Sequence, residues 1–118
     1  MPTISRGAAL QTVITTFDMT PGTCQDLLDE LRDAYANFIR HQPGFIGAGL
    51  HVNDAQTRIA NYSQWRRRED FLAMLRSDQM RERNRRLTAL CRSFEPVMYE
   101  ARALARNAMA SAYSSGVP

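Results

Sequence analysis

Three of the four extended segments in this sequence set apolar residues side by side: Val13 with Ile14, Phe45 with Ile46, and Val97 with Met98. Successive side chains on a strand point to opposite faces, so each pair asks for burial on both sides of a sheet. A single layer of helices covers only one side. A chain of 118 residues is too short to divide into two pieces that each bury a core. The second layer has to come from another copy, and the pattern therefore predicts a homodimer.

Leu10 to Met19 reads as the first strand, with Val13, Thr15, Phe17 and Met19 on one face at period two. Thr20-Pro21-Gly22-Thr23 then supplies helix-start chemistry, with Thr20 or Thr23 as N-cap and Pro21 tolerated in the first turn. From Cys24, the positions Leu27, Leu28, Leu31, Ala34, Tyr35, Phe38 and Ile39 follow the spacing of an amphipathic helix, which Pro43-Gly44 stops. Phe45 to Asn53 predicts a second strand whose Gly47, Ala48 and Gly49 leave room for something bulky.

A hairpin loop at Asn53 to Gln56 leads into an antiparallel third strand, Arg58 to Trp65. Phe71, Leu72 and Leu75 then share a helical face. Ser77-Asp78 restarts a helix that carries Met80, Asn84, Leu87 and Cys91 on one side, so the region predicts two short helices or one broken one. Phe94 to Leu104 predicts a fourth strand, with Pro96 marking an edge or an irregular start. The order β-α-β-β-α-β predicts an α+β, ferredoxin-like fold with an antiparallel four-stranded sheet, assembled as a dimeric α+β barrel. Residues 1–104 are expected to form a single domain, and 105–118 a tail or short helix.

Composition narrows the functional classes. A hydrophobic share of 44% and a charged share of 23% are ordinary for a globular protein in water. No stretch approaches the roughly 20 apolar residues of a membrane helix, and the first residues lack a signal-peptide core, so a cytoplasmic protein without a membrane partner is expected. All 15 basic residues are Arg. The clusters Arg66-Arg67-Arg68 and Arg81, Arg83, Arg85, Arg86 are interrupted by Glu69, Asp70, Asp78 and Glu82, with no aromatic series among them. They read as a solvated helix face rather than a nucleic-acid surface, with room for one arginine to turn inward. Cys24 and Cys91 sit at apolar helical positions and read as reduced thiols.

Familiar catalytic sets are absent: no Ser or Cys beside a His, no telling carboxylate pair, no phosphate-binding glycine loop. His41 and His51 lack the paired spacing of metal ligands, so no metal is expected. On the third strand Asn61, Ser63 and Trp65 point one way and Ala60, Tyr62 and Gln64 the other. Asn61 and Trp65 lie about 13 Å apart along a strand, far enough to flank a flat polycyclic ligand. From strand geometry alone the commoner reading is structural, with a hydrogen-bonded sheet asparagine and a core or interface tryptophan.

The run Ile59-Ala60-Asn61-Tyr62-Ser63-Gln64-Trp65, followed by Arg68-Glu69-Asp70-Phe71, resembles the NYxQW signature of antibiotic-biosynthesis monooxygenases. Pro43-Gly44-Phe45 is similar to the way that family leads into its second strand, and the likeness spans roughly Val13 to Ala103. The resemblance implies oxidation of a fused-ring aromatic polyketide, either to a quinone or by ring cleavage, in a pocket between sheet and helices. It implies dioxygen as co-substrate and no metal or tightly bound prosthetic group. In the ring-opening members it also implies reduced flavin, FMNH2 or FADH2, supplied by a separate reductase.

Carried over by motif, Asn61, Trp65 and Arg85 become the catalytic set. Asn61 and Trp65 would hold the substrate oxygens, and Arg85, facing inward, would stabilise developing negative charge. Phe71, Tyr62, Tyr35 and His51 are the substrate-binding candidates. Phe71 stands where the family often has a tyrosine, which leaves the proton donor unassigned. Two other functions share the fold: a non-redox, cyclase-like polyketide-binding accessory protein, and a haem-handling protein, for which Arg66 to Arg92 offers no axial histidine.

Overall fold

The computed structural model describes residues 10–100 and 102–103. Seven regular elements follow in the expected order: β1 (Gln11–Asp18), α1 (Pro21–Asn37), β2 (Phe45–Val52), β3 (Arg58–Trp65), α2 (Arg68–Arg76), α3 (Asp78–Thr88) and β4 (Ser93–Tyr99). The strands form one antiparallel sheet in the order β2-β3-β1-β4, the ferredoxin-like arrangement. The expected tail at 105–118 lies outside the described residues. The fourth strand, expected to run to Leu104, stops at Tyr99, and the described residues beyond it are outside any strand. It is an edge strand, which is why Pro96 is tolerated in it.

Thr20 is the N-cap of α1 with Pro21 in the first turn, as expected, although no side chain caps the helix. The helix ends at Asn37, earlier than the apolar stripe suggests. Phe38 leaves helical geometry (φ −143°, ψ −64°), and a short 3-10 turn, Ile39–His41, follows. Phe38 and Ile39 are both buried. A continuing α-helix would hold consecutive side chains about 100° apart, so the break is what lets both enter the core. Gly44 then reverses the chain at φ +84°, a left-handed conformation that suits glycine.

Between α2 and α3 a single serine works on both sides. The Ser77 hydroxyl donates to the Met74 carbonyl at 2.7 Å and accepts from the Met80 N–H at 3.2 Å, ending one helix and capping the next. The two-helix reading of this region therefore holds. At the β2–β3 hairpin, Asn53 Oδ1 accepts from the backbone N–H groups of Thr57 and Arg58, both at 2.9 Å.

The core fills the space between one sheet face and the helices. Val13, Phe17, Ile59 and Trp65 meet Leu27, Leu31 and Ala34 of α1, Phe71 and Met74 of α2, and Met80 and Leu87 of α3. The register puts Thr12, Ile14, Tyr62, Val97 and Tyr99 on the opposite face, which no helix among the described residues covers. Tyr62 and Val97 are each 38% exposed there and Tyr99 48%. Cys24 and Cys91 are both free thiols.

Candidate functional site

An open cleft of about 610 Å³ lies between α1 and the edge strand β2. Leu28, Arg32, Tyr35 and Ala36 form one wall, a single face of α1 at helical spacing. Phe45, Ala48, Leu50 and Val52 form the other, with Arg40 at the mouth. The volume suits a drug-sized ligand, and the walls are mainly apolar. Ala48 and Gly49, the small residues that the sequence marks for close approach, line this cleft.

The aromatic wall has a local cause. A β-bulge between Phe45 and Gly47 sets Phe45 opposite Trp65 while Gly47 pairs with Gln64, so Phe45 turns toward the helices. There it contacts Tyr35 (ring centroids 5.9 Å apart) and the edge of Trp65 (5.4 Å), and Trp65 in turn meets Phe71 edge-on (5.8 Å). Tyr35, Phe45, Trp65 and Phe71 thus form one connected aromatic series running from the cleft into the core.

The polar feature of the inner wall is Tyr35. Its hydroxyl donates to Asn61 Oδ1 at 2.8 Å, joining α1 to β3. Burial pushes the Tyr35 phenol above its usual value, and its contacts with Asn61 and Ser63 only partly offset this. At neutral pH the group is therefore a phenol and a hydrogen-bond donor. No buried side-chain nitrogen or oxygen lacks a partner among the described residues.

Trp65 occupies a different position from the one its motif implies. It is fully buried, and its indole N–H donates to the buried Ser63 hydroxyl at 3.1 Å. The ring supports Phe45 from behind instead of offering a free N–H to a ligand. Phe71 likewise backs Trp65, buried at 5% exposure.

Three residues lie away from the cleft. Arg85 does not face inward: its side chain is 75% exposed and pairs with Glu82 on its own helix at 2.9 Å. The arginine that is drawn inward is Arg83, two positions earlier, held by Asp33 at 2.8 Å and set over the Phe38 ring. That pairing also depresses Asp33 below the usual carboxylate range, through the Arg83 hydrogen bond first and the Asn37 bond second. Tyr62, opposite Gly49, and His51, opposite Ala60, lie on the sheet face opposite Asn61, because alternate residues of a strand point to opposite sides. Arg32, Arg40, Leu28 and Leu50 line the cleft but were not among the sequence candidates. Their only signal is helical and strand spacing, which core and surface residues share. Among the described residues no cluster of three His, Cys, Asp or Glu side chains gathers as a metal site. No helix among them is long and apolar enough to cross a membrane.

Fold and cleft together define a ferredoxin-like α+β protein with an aromatic-walled cleft. The chain belongs to the antibiotic biosynthesis monooxygenase family, whose sequence pattern matches residues 10–86. It is 38% identical over 74 residues, 63% of its length, to tetracenomycin-F1 monooxygenase of Streptomyces glaucescens, and it spans 66% of that protein. Among solved structures it resembles the monooxygenase from ActVA-Orf6 of Streptomyces coelicolor in complex with nanaomycin D. There the TM-score is 0.72 with 22% identity, covering 86% of this chain and 94% of the other. It also resembles SnoaB, a cofactor-independent oxygenase of Streptomyces nogalater, with a TM-score of 0.67 and 21% identity, covering 82% and 97%.

Proposed function

We propose that this protein is a monooxygenase that oxidises a fused-ring aromatic polyketide intermediate in antibiotic biosynthesis, with dioxygen as co-substrate. The observation that carries this reading is the cleft itself, a mainly apolar, aromatic-walled space whose α1 wall carries Tyr35, tied by its hydroxyl to Asn61 on β3. The family and the tetracenomycin-F1 monooxygenase relative supply the reaction class.

The chemistry falls mainly on the substrate. An ionised fused-ring phenol passes an electron to dioxygen, the two recombine as a peroxide, and loss of water leaves a quinone carbonyl. The protein's task is to hold the ionised ring, to exclude water and to donate hydrogen bonds where charge develops. The single O–H of Tyr35 is taken by Asn61 Oδ1, so that donation falls to the Asn61 amide N–H, which Tyr35 holds in place on β3. Trp65 and Phe71 keep Phe45 in position as the wall against which the ring lies.

The uncovered sheet face, with Ile14, Tyr62, Val97 and Tyr99, supports a homodimer in which a second copy packs its own sheet there. Tyr62 and His51 then contact the partner rather than the substrate.

The test is aerobic incubation of the pure protein with an anthrone, with and without reduced flavin, following oxygen uptake and quinone formation. Wild-type protein should consume one dioxygen per quinone, and Asn61→Ala should lose most of the rate while remaining folded. A reductase-supplied flavin is required if only the reduced-flavin arm turns over. Ligand binding without oxygen uptake in either arm would replace the oxygenase reading with a cyclase-like binding role.

A further inference from the structure

Of the carboxylates that form ion pairs among the described residues, Asp70 is the most buried, with 14% of its side chain exposed against 33% or more for the others. Its partner Arg67 is 70% exposed and grips both oxygens, Nη2 to Oδ1 at 3.3 Å and Nε to Oδ2 at 3.5 Å. Burying a carboxylate against one exposed arginine costs stability, and an apolar side chain would fill the place without that cost. An acid in the first turn ordinarily serves the helix N-terminus. Asp70 lies in the first turn of α2, yet its carboxylate is laid on Gly44, where it takes the space that a Cβ would occupy.

Gly44 is the residue from which Phe45 departs. At φ +84° and without a side chain it is free to rotate, and any rotation passes directly to Phe45 and to the bulge that follows. The Asp70 carboxylate, held between the Gly44 backbone and the Arg67 fork, removes that freedom. From this we propose that Asp70 is a positioning residue, a latch on Gly44 that sets the angle at which Phe45 enters the cleft wall. Asp70 itself does not line the cleft. Phe71, the next residue of α2, backs Phe45 through Trp65, so α2 holds Phe45 from two points. The carboxylate suits the task because it is short and planar and offers two oxygens to one guanidinium. The inference rests on the cleft being the ligand site.

The experiment titrates a dihydroxyanthraquinone into wild type and variants by calorimetry, which needs no turnover. Asp70→Ala, which opens the space over Gly44, should weaken binding by about tenfold, since misplacing a binding wall by about 1 Å has effects of at least that order. Asp70→Asn keeps the shape and should bind within about threefold of wild type. Arg67→Ala frees the carboxylate without touching the core and should weaken binding by about threefold. Phe45→Ala should weaken it by about tenfold or more. Adding Asp70→Ala to Phe45→Ala should cost less than about twofold further, because the latch then has nothing to position. In anthrone turnover, Asp70→Ala should raise KM and leave kcat within about twofold of wild type.

Unchanged affinity in Asp70→Ala, an Asp70→Asn as weak as Asp70→Ala, or a further loss of about tenfold on top of Phe45→Ala overturns the latch and leaves the cleft standing. If Asp70→Ala does not fold, unchanged affinity in Arg67→Ala overturns it. Unchanged affinity in Phe45→Ala overturns the cleft as the ligand site, and the latch with it.

Discussion

Trp65→Phe separates two roles for the residue at the centre of the family motif. In the structure the indole is fully buried, its N–H is taken by Ser63, and its ring is wedged between Phe45 and Phe71. Replacing it by Phe keeps an aromatic ring but deletes the N–H and part of the volume. The lost atoms leave a void worth about 1 kcal/mol. The Ser63 hydroxyl, itself only 4% exposed, loses the indole N–H donated to it and keeps only its contact with Tyr35, which adds about 1–2 kcal/mol. The variant should therefore be destabilised by about 2–3 kcal/mol, a large share of the roughly 5–15 kcal/mol that holds a domain of this kind together.

Denaturant unfolding followed by far-ultraviolet circular dichroism measures this, since Trp65 is the sole tryptophan and fluorescence is lost with it. Adding Ser63→Ala to Trp65→Phe should recover about 1 kcal/mol, because no buried hydroxyl is then left without the donor that the indole supplied. A Trp65→Phe cost below about 0.5 kcal/mol together with lost turnover would refute the reasoning and return the indole N–H to the substrate.

Gly44→Ala should lower the melting temperature by several degrees. The site has φ +84°, and an added Cβ would come within 2.6 Å of the Asp70 Cβ, so strain and collision together cost about 2 kcal/mol or more. An unchanged melting temperature would show that the turn relaxes freely. Tyr35→Phe should flatten the alkaline end of the stability profile. The Tyr35 phenol is raised in the folded state, so its contribution is fully present below about pH 10 and is lost as pH rises through the folded value. Stability measured on either side of about pH 10 for wild type and Tyr35→Phe gives the comparison, and parallel curves would contradict the shift.

Much of the fold was legible because it depends on local period. The Leu27–Leu31–Ala34 stripe marked α1, period two marked β1, and the stretch Arg58 to Trp65 matched β3 residue for residue. Ser77 was readable as the hinge between two helices because its side chain bonds backbone groups three residues away on either side. Less visible was the early end of α1, which is decided by what Phe38 and Ile39 touch across the core.

The site divides along the same line. Strand alternation alone put Asn61 and Trp65 on one face and Tyr62 on the other, and the sheet keeps that division. Spacing along α3 did not predict which arginine turns inward. A residue two positions away differs by more than half a turn, and only the position of Asp33 on α1 selects Arg83 over Arg85.

By itself, then, the sequence determined the elements, their order, the family and which residues share a face, since each follows from neighbours close in the chain. Tertiary structure decided that Asn61 meets Tyr35, that Trp65 is wedged between Phe45 and Phe71, and that Arg32 and Arg40 open onto a cleft. These depend on contacts between elements, whose distances and angles are set by core packing and leave no periodic trace in the chain.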